Sequence, residues 1–207
     1  MCKENKINKP RLYIIPSETA NAFATGRSEK NAAVACTEGI LKLLTKEELK
    51  GVLAHELSHV KNKDILITTI AATIAGIISY LAHMAQFAAI FGGMGRDNDR
   101  GGGNVLGLLV LAILAPIIAL IIQLAISRSR EYLADERGAK MIKNSKPLAS
   151  ALEKIHHSVK TNPLRFGNNV TSSLFIVNPF KSDFFSSIFS THPSLHDRLE
   201  RLSKMKF

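Results

Sequence analysis

The 207-residue chain has no tryptophan, only three tyrosines and only two cysteines. Cys2 and Cys36 build no disulfide framework, and without a C-x-x-C pair there is no structural zinc site of the thiolate kind. Cys36, in AAVACTEGI, reads as a small buried side chain, and the chain as one living in a reducing compartment. The shortage of stacking surfaces matters because the formal charge is +10. Such a surplus suits nucleic acid. Yet the lysines and arginines are dispersed, no basic helix interleaves them with aromatics, and neither zinc-finger spacing nor a glycine-rich phosphate loop occurs. No nucleic-acid partner is expected. Anionic lipid headgroups are the better match for the charge, with a merely soluble basic surface as the alternative.

Charge is also missing from two long runs. Residues 65 to 94 contain no Asp, Glu, Lys or Arg, and neither do residues 101 to 127. A membrane span needs about 20 mostly apolar residues, and both runs are long enough. Two buried helices in a soluble core are the competing explanation, but a chain this short has too little other material to wrap them. Pro116, inside the second run, would kink a soluble helix and is tolerated in membrane helices. His83 and Gln86 are the strongly polar side chains deep in the first run, and their place near the connector suits a headgroup or helix-packing role. Between the runs, GGMGRDNDRGGGN has the composition of a loop. The expected element is a transmembrane hairpin, with spans of about residues 65–91 and 105–126, seated in a lipid bilayer. Its open ends carry Lys61, Lys63, Arg128 and Arg130, whereas Arg96, Asp97, Asp99 and Arg100 in the connector sum to zero. The positive-inside rule therefore puts the hairpin base, and the soluble portions with it, on the cytoplasmic side. MCKENKINKPRLYII has a basic start and no long apolar region, so it does not read as a signal peptide.

The hairpin divides the chain into residues 1–63, 64–127 and 128–207. In the first portion RLYII, NAFATG and AAVAC are short and β-prone, and TEGILKLL starts a helix. Thr45 with Glu48 forms a capping box for a second helix running through residue 60. After the hairpin, SRSREYLADERGAKMIKN is helical, a further helix runs from near Pro147 to about His157, and HPSLHDRLERL restarts one near the end. Residues 160–190 read as loop with a strand pair. No internal repeat is present.

The chemistry lies in GVLAHELSHVKNKD, residues 51 to 64. On a helix, positions i and i+4 share a face about 5–6 Å apart, so His55 and His59 can hold one ion. Glu56, one position round, can then take a proton from water that zinc has acidified to a pKa of about 7. The spacing alone fits an exposed helix face equally well. Metzincins require Gly at position 62 and His at position 65, where this chain has Asn62 and Ile65. That leaves a glutamate from a second helix, the gluzincin arrangement. SREYLADE offers Glu131 as third ligand, with Asp135 one turn later to accept a hydrogen bond from a ligating imidazole. The hairpin leaves the first metal helix and returns into the second, so adjacent hairpin ends would bring the ligands together.

NAFATG (21–26), GVLAHELSHVKNKD (51–64), SRSREYLADERGA (127–139) and FSTHPSLHDRLERL (189–202) together resemble the HtpX membrane metalloproteases of bacteria, which are related to CAAX prenyl proteases. The motifs occur in order along nearly the whole chain. The resemblance implies a mainly helical α+β fold, a gluzincin-like metalloprotease domain with a two-helix transmembrane hairpin inserted between the metal-binding helices. It implies a zinc endopeptidase of the bacterial inner membrane with a cytoplasmic catalytic domain, acting on damaged or misfolded membrane proteins and unfolded polypeptides. One zinc would be held by His55, His59 and Glu131, with Glu56 as base. Asn21, Ala22, Phe23 and Ala24 resemble the edge strand to which substrate adds. His192 lies where relatives place a histidine that steadies the oxyanion, or else it is a structural residue at a helix start. Arg198 can pair with Asp135 or another buried carboxylate. Other membrane quality-control proteases are candidate partners. Family members usually carry a further N-terminal membrane hairpin, and here ten residues precede RLYII. Two other functions compete: a non-catalytic membrane scaffold that keeps the fold, and a basic surface binder with incidental histidines.

Overall fold

The short β-prone segments form one sheet. β1 (Arg11–Ile15) pairs in parallel with β3 (Ala33–Thr37), and β2 (Ala22–Thr25) pairs with β3 in antiparallel fashion on its other side. β3 is therefore central, and its Ala33, Val34, Ala35 and Thr37 are buried while Leu12, Tyr13 and Ile14 of β1 are exposed. This is a computed structural model, and it describes residues 1–26, 28–92, 102–161, 176 and 192–207. The loop and strand pair expected over 160–190 therefore lie outside the described residues, apart from the helix end and the buried Ile176.

Six α-helices follow among the described residues. α1 (Glu38–Leu43) is capped by Thr37, whose hydroxyl accepts from the Ile40 N–H at 3.2 Å. α2 (Lys46–Asn62) begins with the expected capping box: the Glu48 N–H donates to Thr45 Oγ1 at 3.3 Å and the Thr45 N–H to Glu48 Oε2 at 2.9 Å. It runs two residues beyond the expected end and stops at Lys63, which adopts the left-handed conformation (φ 57°) and donates its N–H to the Val60 carbonyl. α3 (Asp64–Gly92) and α4 (Gly102–Ile142) carry the apolar runs. α4 is one 41-residue helix that includes Pro116, so the second apolar run and the SREYLADE segment belong to the same element. α5 (Lys146–Thr161) and α6 (Leu195–Ser203) complete the chain.

Contacts separate the chain into two units, residues 1–66 with 127–207, and residues 67–126. The core of the first unit is built on α2 and α5. Leu148, Ala151, Leu152, Ile155 and Val159 recur at helical spacing along α5 and are buried with Ile40, Val52, Ala139 and Leu202. Full burial of each leucine or isoleucine contributes about 1.5–3 kcal/mol. Gly51 permits the close approach of the two helices, because a Cβ there would lie 2.8 Å from the Leu148 backbone nitrogen.

Glu48 is the polar tie between the same helices. Beyond the capping box it accepts from Ser150 Oγ at 2.6 Å and from Lys154 Nζ at 2.8 Å. Burial alone would raise its carboxyl, but the bonds from Lys154, Ser150 and Thr45 outweigh it and hold the pKa down to about 2. A depressed carboxyl contributes stability above its unfolded value that is lost as pH falls through the folded one. Glu48→Gln should therefore cost about 2 kcal/mol near neutrality. In parallel thermal melts the difference from wild type should shrink as pH drops from about 4.5 towards 2.

The second unit is apolar and outward-facing. Ile70, Tyr80, Phe87, Leu106 and Ile121 are 50–66% exposed, so these helices do not form a soluble core. Each carries a stretch long and apolar enough to cross a membrane. Ala82, Ala89 and Ala119 are among the few residues buried there, the small side chains that let membrane helices approach one another.

Candidate metal centre

α2 presents His55 and His59 on one face, their Nε2 atoms 3.0 Å apart. α4 brings Glu131 to the same point, with Oε2 at 3.6 Å from His55 Nε2 and Oε1 at 3.6 Å from His59 Nε2. Gly138 makes this approach possible, since a Cβ there would sit 2.9 Å from the His55 backbone nitrogen. The three ligand atoms lie within 4.8 Å of one another, the one such cluster found among the described residues. A tetrahedral ion held at about 2.0–2.1 Å needs donor separations of about 3.3 Å, which the observed 3.0 and 3.6 Å bracket.

The outer nitrogens strengthen that fit. His55 Nδ1 lies 2.9 Å from Asp135 Oδ1, and His59 Nδ1 lies 2.8 Å from Asp64 Oδ2. His59 Nδ1 hydrogen-bonds to Asp64 and His55 Nδ1 stands at ion-pair distance from Asp135, so neutral imidazoles protonated on Nδ1 would point their Nε2 lone pairs at each other beside a third carboxylate. Such a group of acceptors needs a cation at its centre, either a metal ion or a proton.

The electrostatics agree. Burial pushes the His55 imidazolium down, yet its bonds to Asp135 and Glu131 outweigh this and lift its pKa to about 10. Burial would likewise raise Glu131, but His192 and then the imidazoles hold it well below the usual carboxylate range. Asp135, also penalised by burial, is kept low chiefly by Arg198, which donates Nε and Nη2 to it at 2.8 and 2.6 Å. Of the two pairings open to Arg198, the direct one is with Asp135, and its Nη1 stands 3.6 Å from Glu131 Oε2. Arg201 stacks over the Tyr132 ring at 3.8 Å, so α6 grips α4 at two points.

Glu56 is buried beside the imidazoles, and burial raises its pKa more than the two histidines lower it. Its Oε2 accepts the Ala24 N–H at 2.8 Å, so edge strand β2 abuts the metal helix. Of the four candidate substrate-binding residues, Ala22 and Asn21 are buried and Phe23 and Ala24 are half-buried. Asn21 is anchored through its backbone to Thr37, and its Oδ1 accepts from the Ile176 N–H at 3.2 Å. His192 Nδ1 stands 3.4 Å from Glu131 Oε1, at the edge of the ligand cluster. Cys36 is only half-buried, and burial followed by the charge of Glu56 pushes its thiol up to about 11.

Several residues of this centre were not singled out from the sequence. Asp64 supports His59, Arg130 grips Asp64, and Gly138 admits the helix. In the sequence Arg130 stands out only as one of the positive charges at the hairpin ends. The family model for peptidase family M48 matches residues 1–206.

The chain belongs to peptidase family M48.

It is similar to a Protease HtpX homolog of Syntrophotalea carbinolica, 55% identical over 206 residues, covering 99% of this chain and 73% of the relative. A Protease HtpX homolog of Thermococcus kodakarensis is 55% identical over 196 residues, covering 95% and 67%. Among solved structures, Ste24p of S. mikatae superimposes with a TM-score of 0.58 at 21% identity. That match covers 97% of this chain and spans about half, 48%, of the other, and it shows a shared fold. With two membrane-capable helices and the M48 match, the chain is a membrane metalloprotease.

Proposed function

We propose that the chain is a zinc endopeptidase of the bacterial inner membrane that cleaves damaged or misfolded membrane proteins. Both apolar helices cross the bilayer, and the catalytic unit faces the cytoplasm, in keeping with the excess of positive charge at the hairpin ends. The observation that carries the reading is the set of three donors at 3.0–3.6 Å, with a carboxylate oxygen within 2.9 Å of each outer imidazole nitrogen and a buried glutamate alongside.

His55, His59 and Glu131 would hold the zinc. When bound, zinc supplies a Lewis acid that polarises the scissile carbonyl and eases deprotonation of water. Glu56 accepts the proton of the attacking water and returns it to the leaving amine nitrogen, a task suited to a carboxyl whose pKa burial has raised. His192 offers an N–H to the negative charge that develops on the carbonyl oxygen. β2 is an outer strand of the described sheet, and an extended substrate segment would add along it as a further strand, taking the Ala24 N–H from Glu56. Such a strand recognises backbone rather than sequence, which suits unfolded segments of many proteins.

Purified full chain, zinc-loaded in detergent micelles, tests the substrate class. A membrane protein destabilised by a core substitution should be cut at least about tenfold faster than its stable parent. This follows because cleavage tracks the open population. Equal rates on both would overturn the quality-control role while leaving the protease intact.

A further inference from the structure

Each ligand imidazole is backed by a carboxylate, and each carboxylate by an arginine. Behind His55 stand Asp135 and Arg198, from α4 and α6. Behind His59 stand Asp64 and Arg130. Asp64 Oδ2 is 2.8 Å from His59 Nδ1, and Arg130 places Nε and Nη2 each 2.5 Å from Asp64 Oδ1. The Asp64 side chain is 6% exposed and that of Arg130 21%.

Helical geometry alone would not bring Asp64 there. Five residues along an unbroken helix is a rotation of about 140° beyond a full turn, which would carry Asp64 away from the face of His59. The left-handed Lys63 breaks α2 and redirects the chain, so the first side chain of α3 turns back onto the imidazole. A non-glycine residue held in that conformation costs about 1 kcal/mol or more, which the surrounding contacts offset. Asp64 also occupies the first turn of α3, the helix end that favours a carboxylate. On α4, Arg130 precedes Glu131 by one position, about 100° round the helix. One residue thus turns to the ligand cluster while its neighbour turns to Asp64.

We infer that Asp64 and Arg130 are positioning residues for the metal centre. Asp64 fixes the Nδ1–H tautomer of His59 and aims Nε2 at the ion, and Arg130 locks Asp64 to the helix that carries Glu131. The pair closes a loop: His59 and Glu131 meet through the metal in front and through Asp64 and Arg130 behind. Because Asp64 starts α3 and Arg130 follows the apolar run of α4, metal retention depends on those two helix ends staying together. This rests on the metal-centre reading above.

The test is zinc affinity of the full chain in detergent, measured by competition with a chromophoric chelator. Cobalt-substituted absorption spectra report ligand geometry in parallel. Asp64→Ala should weaken zinc binding about 10–100-fold and perturb the cobalt bands. Asp64→Asn, which keeps an oxygen to accept the Nδ1–H, should recover at least half of that loss on a logarithmic scale. Arg130→Ala should weaken binding several-fold in the wild-type background and leave the affinity of Asp64→Ala unchanged, since it acts through Asp64. Should Asp64→Ala not fold, Asp64→Asn serves as the background for the same comparison, with a smaller effect of Arg130→Ala expected there. Affinity unchanged by Asp64→Ala and by Arg130→Ala would overturn the inference, as would an arginine effect of equal size with and without Asp64. A wild-type chain that binds no zinc would overturn this inference and the metal centre together. Tight wild-type binding that is indifferent to these substitutions overturns the positioning role alone.

Discussion

Glu56→Ala should retain zinc and lose peptide hydrolysis by about 10²–10⁴-fold, measured on casein with the purified full chain in detergent. The geometry separates this residue from the ligands. Glu131 lies 3.6 Å from both imidazoles, whereas Glu56 is one position round α2 from His55 and accepts a hydrogen bond from the β2 backbone. Its carboxyl is buried and pushed upward, as a proton acceptor at a hydrolytic centre requires. A raised base pKa predicts an acid limb in the rate profile, with activity rising as pH rises through that value. Glu56→Gln keeps an oxygen for the Ala24 N–H and so preserves the β2 contact. It should be as inactive as Glu56→Ala, which separates loss of the base from loss of packing. Wild-type activity in either variant would remove Glu56 from the mechanism.

Arg198→Ala should lower stability by about 3–5 kcal/mol, because it strips the partner from a buried charge. Arg198 is 2% exposed and Asp135 3% exposed, so no solvent compensates the carboxylate left behind. Two nitrogens of one guanidinium serve Asp135, at 2.8 and 2.6 Å, and a third approaches Glu131. Lysine cannot reproduce that fork, so Arg198→Lys should recover only part of the loss. Removing both charges tells stability from function. Arg198→Met combined with Asp135→Leu should melt much closer to wild type than Arg198→Ala alone. It should still bind metal poorly, since His55 has lost the carboxylate on its Nδ1. A melting temperature for Arg198→Ala within a degree of wild type would contradict this account of the pair.

The features most legible in the sequence rest on short-range periodicity. The four-residue spacing of His55 and His59 needs only a helix to become a shared face, and the capping box of Thr45 and Glu48 announces where that helix starts. The same spacing logic picked out Glu131 and Asp135, because both lie on one helix. Charge-free length disclosed the two apolar helices without any knowledge of their packing. What stayed hidden depends on a backbone irregularity or on distance. Asp64 is five residues from His59, a separation that helical reasoning discards, and only the left-handed turn at Lys63 makes it a neighbour. Arg130 looked like one of several positive charges beside an apolar run, and Gly138 like an ordinary small residue. Their roles arise where α4 meets α2 and α3, contacts between segments some 66 to 83 residues apart. The continuity of α4 through residue 142 was likewise hidden, since a span and an amphipathic segment have different compositions yet form one helix.

The central claim is that His55, His59 and Glu131 together hold a catalytic zinc. Metal content of the full chain, purified in detergent without chelators and measured by mass spectrometry, tests it most directly. The account predicts one zinc per chain in the wild type and in Glu56→Ala, and close to none in His55→Ala, His59→Ala or Glu131→Ala. Zinc that persists in all three ligand variants, or a wild-type chain that carries none after zinc loading, would contradict it.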